Sequence, residues 1–154
     1  MAEAAKMLEE EDTQHGRYMT FRVGGETYGF EIRHVTEIIG MHPITIVPET
    51  PDYVLGIINL RGKVIPVIDM RLRFHKEQIA YSERTCIIVV DAADVTVGFI
   101  VDSVAEVTNI DDAHIEPAPD FRSGLYNKFL SGIGVTDEGP KLLLDCERLL
   151  AAED

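Results

Sequence analysis

The stretch GIINLRGKVIPVIDMRLRF, residues 56–74, says more about the fold than any other part of the chain. Two aliphatic, β-rich runs flank Arg61 and Gly62, and a two-residue connection that ends in glycine is typical of a β-hairpin turn. Apolar side chains occupy both alternating sets of positions, which predicts a sheet covered on each face: Ile57, Ile58, Ile65, Val67 and Ile68.

The second run ends at Asp69. An aspartate followed by Met70, Leu72 and Phe74 is typical of an N-cap that begins a short helix. We therefore interpret Asp69 as a helix cap rather than as a catalytic carboxylate.

A second hairpin is predicted in YMTFRVGGETYGFEI, residues 18–32. A loop at Gly24 and Gly25 would place Phe21 opposite Tyr28 and would bring apolar residues together on one face. The same register pairs Met19 with Phe30.

Further β-rich runs are separated by frequent turn signals, which predicts an all-β barrel or sandwich. They are residues 35–39, 44–47, 85–90, 95–101, 104–110, 132–135 and 142–144.

Part of the pattern in residues 56–74 occurs again near the end of the chain. Gly56 precedes Asp69 by the same interval at which Gly132 precedes Asp145, and the two aspartates open the similar segments DMRLRF and DCERLL. A strand, turn, strand and capped helix that occur twice indicate two similar small barrels packed together.

Composition bounds the function. The 154 residues carry a net charge of −13, which opposes binding to nucleic acid. No apolar run approaches the roughly 20 residues needed to span a bilayer, so we expect a cytoplasmic protein without direct membrane insertion. Residues 1–15 are acidic and polar and are predicted to form a flexible tail outside the core.

Recognisable catalytic and cofactor patterns are lacking. The two cysteines and five histidines show no metal-ligand spacing, and no phosphate-binding glycine loop occurs. Asp111 and Asp112 are read as a solvated turn rather than as an acid/base pair. We expect no cofactor, no metal and no enzyme activity, and a function that lies in exposed strand edges, grooves and turns.

Charge is distributed unevenly along the sequence. Residues 61–76 are locally basic, whereas residues 102–120 contain six acidic residues and neither lysine nor arginine. This pattern is compatible with two solvated faces or with a polarised surface that orients protein partners.

Five segments together carry a family resemblance: YGFEIRHVTEII, IVPETPDYVLGIINLRGKVIPVIDMRLRF, GFIVDSVAEV, IEPAPDF and LLLDCERLL. They resemble the stand-alone members of the CheW family of bacterial chemotaxis coupling proteins. The resemblance implies two SH3-like five-stranded β-barrels within residues 16–151, with short helices that include one at the C-terminus. It also implies a scaffold that links the cytoplasmic tips of methyl-accepting chemoreceptors to the regulatory domain of the CheA histidine kinase. Such a protein is cytoplasmic and is recruited to membrane-associated receptor arrays.

The resemblance assigns roles only where motifs match. The receptor-coupling residues are Val35, Glu37, Gly56, Arg61 and Gly62, and the kinase-contact residues are Asp120 and Phe121. Purely structural roles stay open as alternatives: Val35 and Phe121 could be core residues, and the role of the glycines could be limited to permitting turns. Glu116 stands where some relatives have a basic residue.

We also predict that Arg61 pairs with Glu37, since a guanidinium at a two-residue turn has the reach and the planar fork to hold a carboxylate. The competing hypothesis is a small β-barrel enzyme or ligand-binding domain that holds an organic cofactor between the barrels.

Overall fold

The computed structural model describes residues 15–117 and 128–151, and it is built almost entirely from β-strands. The strands are β1 (Arg17–Val23), β2 (Glu26–Glu31), β3 (Val35–Gly40), β4 (Val54–Leu60), β5 (Lys63–Asp69), β6 (Cys86–Ala92), β7 (Val95–Val101), β8 (Ser103–Asn109), β9 (Ile115–Glu116), β10 (Leu130–Thr136) and β11 (Gly139–Leu144). The helices are α1 (Met70–Arg73), α2 (Cys146–Leu150) and two 3-10 turns, Ile32–His34 and Asp112–His114. Residues 1–14 of the predicted tail lie outside the described residues.

The strands form two sheets. One has the order β8-β1-β2-β11-β10-β9 and the other the order β3-β6-β7-β5-β4. We call the first set of strands barrel 1 and the second barrel 2. The all-β prediction with two subdomains is confirmed, although barrel 1 has a sixth strand, the two-residue β9, which the sequence did not indicate. The strand predicted at residues 44–47 is reduced to one bridge between Thr45 and Ile57.

Both predicted hairpins have the expected register. Phe21 lies opposite Tyr28 and Met19 opposite Phe30. Leu60 lies opposite Lys63, so Arg61 and Gly62 form the two-residue turn. The strong local preferences of the turn residues explain why these registers could be read from the sequence.

Apolar side chains fill three layers. The largest layer lies between the two sheets, where Phe30 of β2 contacts Phe99 of β7 with ring centroids 5.4 Å apart. A second layer lies inside barrel 2 and contains Ile58, Ile65, Val67, Ile87, Val89 and Ile100, with Ile39 of β3 packed against it. A smaller third layer lies inside barrel 1 around Tyr18, Ile110 and Leu143. Alternate residues of β6 therefore point into different layers, which explains its unbroken aliphatic sequence.

The predicted repeat is present in the topology. The order β3-β6-β7-β5-β4 matches β8-β1-β2-β11-β10 strand for strand. In each barrel the second strand of one hairpin runs parallel to the second strand of the other, β5 beside β7 and β11 beside β2. The Thr45 bridge to β4 occupies the place that β9 takes beside β10.

Both repeats end in a helix capped by aspartate. The Asp69 carboxylate accepts hydrogen bonds from the Arg71 and Leu72 amides at 2.9 and 3.4 Å, and Asp145 accepts from Glu147 and Arg148 at 3.0 and 3.2 Å. The interpretation of Asp69 as a cap is confirmed. It is also buried, and its other carboxylate oxygen accepts a hydrogen bond of 3.1 Å from the Tyr81 hydroxyl.

Candidate functional site

The turn between β4 and β5 presents Arg61. Its φ is +53° and that of Gly62 is +86°, and positive φ at both central residues is the requirement of a type I′ turn. The Gly62 amide donates to the Asn59 side-chain oxygen at 2.8 Å, which fixes the turn from within. Gly62 thus has a conformational role, and Arg61 is left with its side chain 68% exposed.

Arg61 and Glu37 form an ion pair, as predicted. The Nη2 of Arg61 donates to Oε2 of Glu37 on β3, and this hydrogen bond raises the pKa of the guanidinium. The pair is informative about the fold because β3 and β4 are the first and last strands of their sheet. An ion pair from β3 to the turn that follows β4, together with an interior layer that includes Ile39 and Ile58, means that the sheet curls around this layer. The structure therefore brings two of the receptor-coupling motifs to one end of barrel 2.

A second polar link supports the same turn from the other side. Lys63 donates from Nζ to the Thr96 hydroxyl at 3.0 Å, and that hydroxyl donates to the Asp91 carboxylate. The turn is thus linked to β3 through Arg61 and to the β6–β7 hairpin through Lys63.

Val35 and Gly56 have structural roles beside the ones assigned by resemblance. Val35 is half-buried against the layer between the sheets. The pairing of β3 with β6 shifts by one residue after Val35, so Glu37 lies opposite Val89, whose side chain belongs to the barrel 2 interior. Gly56 is buried with φ +154°, and a Cβ there would lie 2.1 Å from the Thr45 carbonyl oxygen.

An open groove separates the edge strands β3 and β8. Its volume is about 640 Å³, and its lining combines apolar side chains with two arginines: Ile38, Cys86, Val104, Ala105, Ser103, Arg22 and Arg84. Ile38 follows Glu37 on β3 and lies opposite Ile88, whereas Glu37 lies opposite Val89, so the groove is on the other face of β3 from the Arg61–Glu37 pair. The sequence did not single out the groove, because β3 and β8 are far apart in the chain.

Asp120 and Phe121 lie outside the described residues, and their assignment to a kinase contact stays a prediction.

Part of the uneven charge along the sequence is used inside the fold. Arg71 pairs with Asp102 through two hydrogen bonds, Nε to Oδ1 at 2.9 Å and Nη2 to Oδ2 at 2.6 Å, so one charge from each segment is used internally. Arg73 is 3% exposed and donates to the carbonyls of Leu149 and Ala151. Because Arg71 is paired and Arg73 is buried, residues 61–76 give less positive charge to the surface than the sequence suggests.

Metal and thiol chemistry find little support in the described part of the chain. Across residues 15–117 and 128–151 no three histidine, cysteine or acidic side chains are grouped so that they could hold a metal ion. Burial raises the pKa of the Cys146 thiol to about 12, which disfavours the reactive thiolate. The space between the barrels is occupied by buried aromatic side chains such as Phe21, Phe30 and Phe99, which does not favour a cofactor there.

Among the described residues, no helix has the length and apolar character needed to cross a membrane.

Comparison with known proteins agrees with this architecture. A model of the CheW-like domain family matches residues 17–154. The chain is 36% identical to the chemotaxis protein CheW of Klebsiella aerogenes over 143 residues, which cover 93% of this chain and 86% of that one. It is 34% identical to the chemotaxis protein CheW of Rhizobium meliloti over 155 residues, covering 100% of this chain and 97% of that one. The crystal structure of the scaffolding protein TtCheW from Thermoanaerobacter tengcongensis superposes with a TM-score of 0.78 at 38% identity, covering 84% of this chain and 88% of that one. With two β subdomains, a capped hairpin repeat and this similarity over nearly its whole length, the chain belongs to the CheW family of chemotaxis scaffold and adaptor proteins.

Proposed function

We propose that this protein is a non-enzymatic adaptor that couples the cytoplasmic tips of methyl-accepting chemoreceptors to the regulatory domain of the CheA histidine kinase. It would act in the cytoplasm at membrane-associated receptor arrays and support their assembly. The observation that carries the proposal is the Arg61–Glu37 pair, because it unites the two motifs assigned to receptor coupling in a chain that belongs to the CheW family.

The groove on the other face of β3 also supports a receptor contact. A helix that lays an apolar face into a groove is a common mode of recognition, and Ile38 and Val104 provide apolar surface for such a face. Arg22 and Arg84 at the same groove favour acidic side chains on the partner. An amphipathic, acidic helical tip is therefore the kind of receptor surface that fits.

A different surface supports a kinase contact. Val64 on β5 is 58% exposed, and Ile46, which follows the bridged Thr45, is 81% exposed. Exposed aliphatic side chains close to one hairpin are typical of interaction sites, and apolar contacts supply much of the free energy at an interface core. We assign the outer side of the β4–β5 hairpin to a barrel of the kinase regulatory domain, with Asp120 and Phe121 as a second contact.

The test reconstitutes a chemoreceptor cytoplasmic fragment, CheA and this chain, and measures kinase autophosphorylation with labelled ATP. Arg61→Ala and Glu37→Ala should each remove most of the receptor-dependent stimulation, and the double variant should be no worse than either single variant. The melting temperature should change little, since solvent-exposed ion pairs contribute little to stability. The exposed Arg17 offers a matched control, and Arg17→Ala should stimulate like the parent.

Two outcomes would contradict the proposal. Normal stimulation by Arg61→Ala with unchanged receptor binding would show that the turn has no coupling role. Stable, stoichiometric labelling of this chain by CheA would show that it is a phosphorylation substrate rather than only an adaptor.

A further inference from the structure

Helix α1 belongs to the repeat unit of barrel 2, yet its arginines bind elements of barrel 1 and of the connection between the barrels. Arg71 holds Asp102 through the two hydrogen bonds of 2.9 and 2.6 Å. Asp102 lies between β7 and β8, where the chain passes from barrel 2 into barrel 1. The amide of Gly24, in the β1–β2 turn of barrel 1, donates to the same carboxylate at 2.8 Å. One carboxylate therefore joins α1, the crossover and barrel 1.

Arg73 makes a second connection to barrel 1. Its Nε donates to the Leu149 carbonyl at 3.1 Å and its Nη2 to the Ala151 carbonyl at 3.2 Å, at the C-terminal end of α2. Its guanidinium also lies over the rings of Tyr53 and Phe129, 4.2 and 4.5 Å from their centroids. The charge is thus satisfied by carbonyls and aromatic faces in a buried position.

The internal repeat shows that these arginines are not needed to build a capped hairpin. Aligned on the capping residues Asp69 and Asp145, Arg71 corresponds to Glu147 and Arg73 to Leu149. Both helices form and are capped in the same way, but only α1 carries the pair of arginines. Their contacts are directed across the boundary between the barrels, which a repeat unit by itself does not require.

We propose that Arg71 and Arg73, with Asp102, form an inter-barrel clamp of positioning residues that fixes the angle between the two barrels. Apolar layers allow some sliding, whereas a bidentate guanidinium–carboxylate pair holds a defined geometry. The consequence for signalling rests on the proposed function: the second kinase contact, Asp120 and Phe121, falls in sequence between β9 and β10 of barrel 1. A change at the Arg61–Glu37 end of barrel 2 reaches that contact only if the barrels move as one body.

The first experiment measures the angle directly and needs no partner. Spin labels are placed at Val95→Cys on β7 and Val135→Cys on β10, which are exposed positions in different barrels, with Cys86→Ala removing the half-buried thiol. Electron double resonance then gives the distribution of distances between the labels in the intact chain. Arg71→Ala should broaden a narrow parental distribution, Arg71→Lys should broaden it less because it keeps the charge and loses the fork, and Arg17→Ala should leave it unchanged.

Milder variants keep the inference testable if Arg71→Ala does not fold. Asp102→Asn retains the shape and an acceptor for Gly24 but removes the charge, and Arg73→Met retains cover for Tyr53 and Phe129 but removes both donors. Each should broaden the distribution while circular dichroism remains that of the folded parent. An unchanged distribution in every folded clamp variant would overturn the inference.

The second experiment uses the native cysteines and separates the clamp from the proposed function. Clamp variants should bind the CheA regulatory domain with parental affinity, because the assigned β4–β5 hairpin lies within barrel 2, and yet lose receptor-dependent stimulation of the kinase. Full stimulation by a variant with a broadened distribution would show that a fixed angle is not required. If the parent itself fails to stimulate the kinase, the adaptor proposal fails, while the distance measurement still decides whether the clamp exists.

Discussion

Gly56 offers the sharpest separation of a structural role from a receptor-contacting one. Its Cα faces the backbone of Thr45, where a Cβ would lie 2.1 Å from the carbonyl oxygen and 2.8 Å from the carbonyl carbon. These are backbone atoms, so no side-chain rotation can relieve the overlap. Gly56→Ala must therefore separate Thr45 from β4.

The loss of stability in Gly56→Ala can be worked out from the hydrogen bonds broken and the backbone strain added. Thr45 and Ile57 exchange two backbone hydrogen bonds of 2.9 Å. Losing both costs about 1–3 kcal/mol. A non-glycine residue at φ +154° adds about 1–3 kcal/mol of backbone strain. We expect the free energy of unfolding to fall by about 2–6 kcal/mol, a large share of the 5–15 kcal/mol typical of a domain.

Gly62→Ala is the matched control. Gly62 also has positive φ, +86°, but a Cβ there has no other atom within 4 Å, so only the backbone cost of about 1–2 kcal/mol applies. Urea unfolding is followed by circular dichroism, because the chain contains no tryptophan. Equal midpoints for the two variants would refute the steric argument, and a stable Gly56→Ala that fails to bind receptor would make Gly56 a direct contact.

Three further outcomes are expected. Burial raises the pKa of Asp102, but the hydrogen bonds from Arg71 and Gly24 outweigh burial and hold this pKa below its ordinary value. The stabilisation by the Asp102 carboxylate is therefore present above about pH 4 and is lost as the pH falls through the folded pKa. The urea midpoints of the parent and Asp102→Asn should differ near neutral pH and converge on acidification, and a difference independent of pH would contradict this. Asp69→Ala should lower the free energy of unfolding by about 2–3 kcal/mol, because the buried Asp69 carboxylate accepts from two amides and from the Tyr81 hydroxyl. The more exposed cap Asp145→Ala should lower it by about 1 kcal/mol, and equal losses in urea unfolding would argue against the burial effect. Burial raises the pKa of both thiols, but only Cys86 reaches the groove, so Cys86 should react slowly with a disulfide reagent in the folded protein and Cys146 only on unfolding. Mass spectrometry of the modified chain would verify or contradict this.

The sequence alone determined the local elements of this protein. The turns at Gly24-Gly25 and Arg61-Gly62, the register of both hairpins and the caps at Asp69 and Asp145 were all predictable. Each depends on the steric preferences and hydrogen-bonding groups of a few neighbouring residues, which a short stretch of sequence specifies completely. The repeat could also be read, because equal intervals between matching residues are a property of the sequence.

Only the tertiary structure decided which distant elements meet. Closure of barrel 2 brings Glu37 of β3 to the turn after β4, and the Arg61–Glu37 pairing could be anticipated only by adding the family resemblance to the reach of the side chain. Nothing in the local sequence distinguishes Arg71 and Arg73 from surface charges, yet one binds Asp102 and the other is buried against α2. The groove between β3 and β8 could not be predicted from the sequence either, because these strands are far apart in the chain. Parallel pairing, barrel closure and charge burial depend on the balance between loop entropy and the apolar area covered when the whole chain collapses, and that balance is a property of the complete fold.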